Sequence, residues 1–162
     1  MPTTTIHVAA TAPINPPGAN PVLSEGQVWD GLQRKVRRAE EFVPLISSCV
    51  VVEERANVVT RKVVFAEDEE KAVTEVCTEY APSRVHFRME TGTEVQNIIS
   101  RDVGDGTLFM TYAFSWVVDN GAHKEEGEED VRDKKQKEAS IAVSKSIEAM
   151  RAMVLDGRIR TA

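Results

Sequence analysis

Residues 58–80 read Val-Val-Thr-Arg-Lys-Val-Val-Phe-Ala-Glu-Asp-Glu-Glu-Lys-Ala-Val-Thr-Glu-Val-Cys-Thr-Glu-Tyr. Two runs rich in β-branched residues, Val58 to Ala66 and Ala72 to Tyr80, flank an acidic connector at Glu67 to Glu70. Apolar and polar side chains alternate with period two, the pattern of strands that bury one face. So short a connector makes the two runs antiparallel neighbours, because a parallel crossover needs about a dozen residues or more.

The same period holds outward from Ser47 to Val118. Val50-Val51-Val52, Val85 to Met89, Val95 to Arg101 and Leu108 to Val118 read as further strands. The connectors Glu54 to Asn57, Ala81-Pro82-Ser83, Glu90 to Gly92 and Asp102 to Gly106 are all short, so the six strands form a meander. Upstream, Ile6 to Thr11 reads as a first strand ending at Pro13, followed by the turn-rich connector Asn15 to Pro21. Ser24 then opens a helix, with Gln27 completing a capping box. Val28, Trp29, Leu32, Val36 and Ala39 recur at helical spacing, with Arg34, Lys35, Arg37 and Arg38 assigned to the opposite, solvated face. This helix is expected to stop before Pro44. Downstream, Asp119-Asn120-Gly121 reads as a turn and a charged stretch from Lys124 to Glu138 leads into an apolar stripe of Ala139, Ala142, Val143, Ile147, Met150 and Val154. That is one long helix, which Gly157 is placed to end.

A seven-stranded sheet cannot bury a face against the first helix alone, so the last helix must lie across it. The expected fold is therefore α+β, a curved seven-stranded antiparallel sheet around a long C-terminal helix with an apolar cavity between them. A chain of 162 residues suits one domain spanning 1–162. The net charge of -6 argues against a nucleic-acid partner, which needs a basic face. No apolar stretch approaches the roughly 20 residues that span a bilayer, so no membrane insertion is expected. Met1 to Thr5 carries neither a basic nor an apolar signal region, which points to the cytoplasm and to reduced thiols at Cys49 and Cys77. The acidic start of the last helix makes a poor seam, so the expected state is a monomer or weak homodimer.

The order of elements resembles the START-like helix-grip (SRPBCC) superfamily, which includes polyketide cyclases, aromatase/cyclases and lipid carriers. Within it the chain is similar to the AtaL-like family. The residues that carry the likeness are Gln27-Val28-Trp29-Asp30-Gly31-Leu32, Phe42-Val43-Pro44, Cys49, Arg61, Glu75 and Asn97-Ile98-Ile99-Ser100. The charged stretch around Gly127 to Lys137 is longer and more acidic than the resemblance leads one to expect. What the family implies is a site for a hydrophobic ligand, within specialised metabolism, and no shared reaction.

Arg61 and Glu75 are the foremost candidates for chemistry. With a bulge in the 67–70 turn they face each other and share the inward face with Val63, Phe65 and Val73. Arg61 is then a donor able to polarise a ligand carbonyl and Glu75 an acid or base. The alternatives are a purely structural ion pair, or a slipped register that turns both to water. Tyr112, Phe114 and Trp116 share one strand face, an aromatic wall for an apolar ligand or plain core. Trp29, Phe65, Phe87, Ile147 and Met150 complete the candidate lining. Asn97 serves either a ligand or a β-bulge, and Tyr112 either a general acid or a backbone partner. His86, between Arg84 and Arg88, belongs to the solvent face. His7 and His123 stand apart from it and from each other, and no metal-ligand spacing or cofactor motif is present. Gly104-Asp105-Gly106 is a hairpin turn.

Three functions compete on this reading. The first is a carrier or binding protein for a small apolar or aromatic intermediate. The second is a cofactor-independent cyclase, dehydratase or isomerase using the same cavity. The third is a non-catalytic interaction domain.

Overall fold

The computed structural model describes residues 2–120 and 127–162, so Gly121, His123 and Lys124 lie outside the described residues. The elements run β1 (Thr3–Pro13), α1 (Glu25–Arg37), β2 (Ile46–Arg55), β3 (Val58–Phe65), β4 (Asp68–Tyr80), β5 (Arg84–Met89), β6 (Glu94–Arg101), β7 (Leu108–Asp119) and α2 (Glu128–Leu155). The strands form a seven-stranded sheet in the order β1-β7-β6-β5-β4-β3-β2, antiparallel throughout. This is the helix-grip arrangement, with the meander unbroken from β2 to β7. No helix among the described residues is long and apolar enough to cross a membrane.

β1 is longer than the Ile6 to Thr11 run because it pairs with β7 along its whole length, from Thr3↔Asp119 to Pro13↔Phe109. β4 also begins earlier than expected. Phe65 pairs with Asp68, which leaves Ala66-Glu67 as the tight turn, and Glu69, Glu70 and Lys71 of β4 bulge out opposite Val64 and Phe65. The capping box is formed: the Ser24 hydroxyl accepts from the Gln27 amide at 3.1 Å while Gln27 Oε1 accepts from the Ser24 amide at 2.9 Å. Gly157 ends α2 at φ +87°, a left-handed conformation that glycine adopts without a Cβ clash. Arg151 of α2 donates to the Ile14 and Pro21 carbonyls and so fastens the connector onto the helix.

The core lies between the sheet's inner face and α2. Val59, Cys77, Val85, Phe87, Val95, Ile99, Met110 and Tyr112 meet Ala139, Val143, Ile147 and Met150, all buried. α1 is seated against α2 through Gly31. A Cβ there falls 2.6 Å from Cγ and 2.7 Å from Sδ of the buried Met150. Gly31→Leu should therefore destabilise by about 1–3 kcal/mol through overpacking, against roughly 1 kcal/mol returned by removing a helical glycine. The midpoint of equilibrium urea unfolding checks this, and a rise would show the two helices free to separate.

Candidate binding cavity

Arg61 on β3 and Glu75 on β4 are direct cross-strand partners, 3% and 2% exposed. The bulge at the hairpin end sets that register and turns both inward. Arg61 Nε and Nη2 donate to Glu75 Oε1 at 3.0 and 2.8 Å. Its Nη1 donates to the Lys35 and Val36 carbonyls, each at 2.9 Å. These carbonyls belong to the last turn of α1, where intrahelical partners run out and the dipole is negative. Arg61 thus neutralises Glu75 and caps α1 with one planar group, and its guanidinium carbon lies 5.0 Å from the Phe87 ring centroid. Glu75 Oε2 accepts no hydrogen bond among the described residues.

Lys35 overturns the expectation of a solvated basic face. It is 7% exposed, and its Nζ donates to Asn97 Oδ1 at 2.7 Å, in the interior. The ammonium nitrogen stands 4.2 Å from the Tyr112 ring centroid and 5.3 Å from that of Phe87. Burial, then the neighbouring Arg61 charge, pull its pKa down to about 7, with Glu75 and Cys77 acting in the opposite sense. Two other members of the basic cluster are paired nearer the surface. Arg34 forks onto Glu41, and Arg37 bridges Glu54 and Glu79.

Above this charged floor a cavity of about 360 Å³ opens between the sheet, the segment Phe42 to Ile46 and α2. Phe114 and Trp116 form its flat wall, stacked with centroids 5.1 Å apart and planes 5° apart. Tyr112 stands edge-on to Phe114. Ile141 and Leu45, 56% and 66% exposed, sit among the lining residues on the solvent side.

Of the residues read from sequence, the cavity brings together Arg61, Glu75, Phe65, Phe87, Tyr112, Phe114 and Trp116. Trp29, Asn97, Ile147 and Met150 are not among its lining. α1 reaches the cavity only through Lys35 in its last turn, which leaves Trp29 in the core. Asn97 sits behind the lining as the acceptor of Lys35 and shows no bulge, pairing in register with Tyr112. α2 presents two stripes. Glu138, Ile141, Ala142 and Lys145 face the cavity, while Ala139, Val143, Ile147 and Met150, about 100° round the helix, fill the core.

Burial pushes the Tyr112 phenol well above its ordinary range; the Ser146 hydroxyl beside it offsets this slightly without closing a hydrogen bond of ordinary geometry. Burial likewise pushes the Cys77 thiol up to about 12, and both cysteines are free. His86 packs on Tyr80 at 4.9 Å, its basicity lowered first by burial and then by Arg84. His7 bonds Ser115 across β1 and β7 at 2.9 Å, and neither histidine lines the cavity.

Two of the solved structures that share the fold come from polyketide-type ARO/CYC proteins. The di-domain ARO/CYC StfQ from the steffimycin biosynthetic pathway superposes with a TM-score of 0.68 at 12% identity, over 94% of this chain and 52% of its own. The di-domain ARO/CYC BexL from the BE-7585A biosynthetic pathway does so with 0.61 at 10% identity, over 98% of this chain and 51% of its own. The chain thus spans about half the length of each. No curated protein matches the sequence. Residues 8–157 match the family model described as acetylaranotin biosynthesis cluster protein L. The chain belongs to the AtaL family.

Proposed function

We propose that the cavity binds a small apolar, aromatic molecule, an intermediate of a specialised-metabolite pathway of polyketide or nonribosomal-peptide type. The observation that carries this is the cavity itself, about 360 Å³ with a stacked Phe114–Trp116 wall. Ligand sites of this kind are mostly apolar, with a few polar groups that fix orientation. Here those groups are Lys35, Glu75, Arg61 and Tyr112 at the inner end. The family's description and the pathways of the two structural neighbours support the biosynthetic setting.

A melting-temperature screen with naphthalene and larger fused aromatics tests the reading, with Trp116 fluorescence as a second probe. A true ligand at a hundred times its Kd should add about 2.7 kcal/mol of stability. If no apolar compound moves either signal, the binding reading fails and a non-catalytic interaction domain gains.

One observation favours the enzyme reading of the same cavity: Glu75 lines it with Oε2 unengaged. That oxygen is placed to take or give a proton in a cyclisation, dehydration or isomerisation, with Arg61 holding the carboxylate in orientation. Glu75→Gln should then keep ligand affinity and lower turnover by about a hundredfold or more. A pure carrier would show modest loss of affinity and no turnover to lose.

A further inference from the structure

We propose that Lys35 is a reactive amine that captures a ligand carbonyl as a reversible imine, so that the cavity selects aldehydes and ketones among apolar molecules. This rests on the binding reading for the ligand's access and deepens it by naming the ligand's functional group.

Lys35 stands with Arg61 and Glu75 at the inner end of a mostly apolar cavity, while the other lysine of the lining, Lys145, belongs to α2. Asn97 Oδ1 is the one protein acceptor for Nζ among the described residues, and aromatic faces of Tyr112 and Phe87 flank it. A neutral amine that donates once to Asn97 keeps its lone pair unclaimed. The polar groups around it do not close into a satisfied network either, since Asn97 Nδ2 and the Tyr112 hydroxyl are buried without partners. A lysine kept only for structure gains little from such surroundings, where an apolar residue of the same volume avoids the desolvation cost.

The chemistry follows from the neighbours. Arg61 from β3 faces the amine with positive charge, Glu75 and Cys77 from β4 oppose it, and Tyr112 from β7 supplies a ring. Desolvation beside another cation is the known route to a nucleophilic lysine. With a pKa of about 7, Lys35 is on the order of a thousand times more deprotonated at neutral pH than an exposed lysine. The Nζ lone pair adds to the carbonyl carbon, and the π pair moves onto oxygen, which takes a proton from Nζ. The carbinolamine then gains a proton and loses water. The product is a protonated imine, and no oxidant or reductant is required. The unpartnered Tyr112 hydroxyl is available to the carbonyl oxygen, and the Glu75 carboxylate supplies the counter-charge to the iminium.

The test is reductive trapping at pH 7.5 with 1-naphthaldehyde and sodium borohydride, read by intact mass and peptide mapping. The expected result is one adduct at Lys35, at least about tenfold above any other lysine given the difference in neutral fraction. Excess naphthalene should suppress it, and Lys35→Arg and Lys35→Met should lack it, with circular dichroism verifying their fold. Adducts spread over other lysines, with none at Lys35, overturn the proposal. Naphthalene run alone separates the two readings. If it raises the melting temperature while Lys35 stays unlabelled, binding stands and the imine falls. If Lys35 is labelled selectively while naphthalene has no effect, the amine stands and the apolar-ligand reading falls.

Discussion

Arg61→Met is expected to cost about 3–5 kcal/mol, the range for breaking a buried ion pair by removing one partner. Two losses combine. The Glu75 carboxylate stays in a nearly water-free position without its guanidinium, and the Lys35 and Val36 carbonyls lose their donor at the end of α1. Against a total of about 5–15 kcal/mol for a domain, the variant would be marginal at room temperature. Glu75→Leu should be comparably damaging for the opposite reason, since it leaves the Arg61 guanidinium buried without its counter-charge. The double variant is the informative one. Removing both charges relieves the uncompensated burial, so Arg61→Met/Glu75→Leu should be more stable than the sum of the singles by about 0.5–3 kcal/mol, a typical contact coupling. It should still fall short of the parent by the lost carbonyl caps. Urea unfolding at pH 7 measures all four. Single-variant losses below about 1 kcal/mol would mean that water reaches the pair, since that is the range of exposed pairs. A double variant as stable as the parent would show that the pair is not there for stability, which strengthens the enzyme reading.

Stability should also rise as the pH is raised from 7 to 9, by about 2 kcal/mol for one fully linked proton. The source is Lys35, whose folded pKa of about 7 lies below the ordinary lysine value. Between the two values the unfolded chain binds the proton that the folded chain has released, so raising the pH favours folding. That stability is complete above the unfolded pKa and is lost as pH falls through 7. Cys77 opposes it from the alkaline side. Its folded pKa of about 12 lies above the unfolded value, so from about pH 9 the unfolded state releases a proton that the folded state keeps. The stability profile should therefore climb, flatten near pH 9 to 10 and fall beyond. Lys35→Met should abolish the climb and be the more stable protein at pH 7, while Cys77→Ala should delay the fall. Urea midpoints in reducing buffer at each pH read this directly. A profile of Lys35→Met parallel to the parent's would show that the amine stays charged in the fold.

Most of the sheet was legible because its rules are local. Period-two alternation marks which face of a strand is buried, and short polar connectors leave no choice but antiparallel neighbours. The Ser24–Gln27 capping box and Gly157 were likewise readable, since each spans only a few residues. Val63 and Val73, two residues away on the same strands, favoured an inward facing of Arg61 and Glu75 without excluding a slipped register, and the bulge at the hairpin end decided it. The position of Lys35 was written in its spacing, three residues after Leu32 and seven after Val28, both fully buried. Its charge argued for the solvated face, and the competing spacing proved the stronger guide.

Local rules along the chain settle the strand order of the meander, the start of α1 at Ser24 and the end of α2 at Gly157. All follow from propensity, periodicity and hydrogen bonds between near neighbours. The closing of β1 beside β7, the division of α2's apolar surface between core and cavity, and the buried lysine among aromatic rings at the cavity floor came with the assembled fold. Those outcomes depend on where distant segments meet. The desolvation that lowers the Lys35 pKa arises only when α1, β3, β4, β6 and β7 converge on one amine. The grip of sheet on helix was legible from strand to strand, but the chemistry at its centre belongs to the assembled fold.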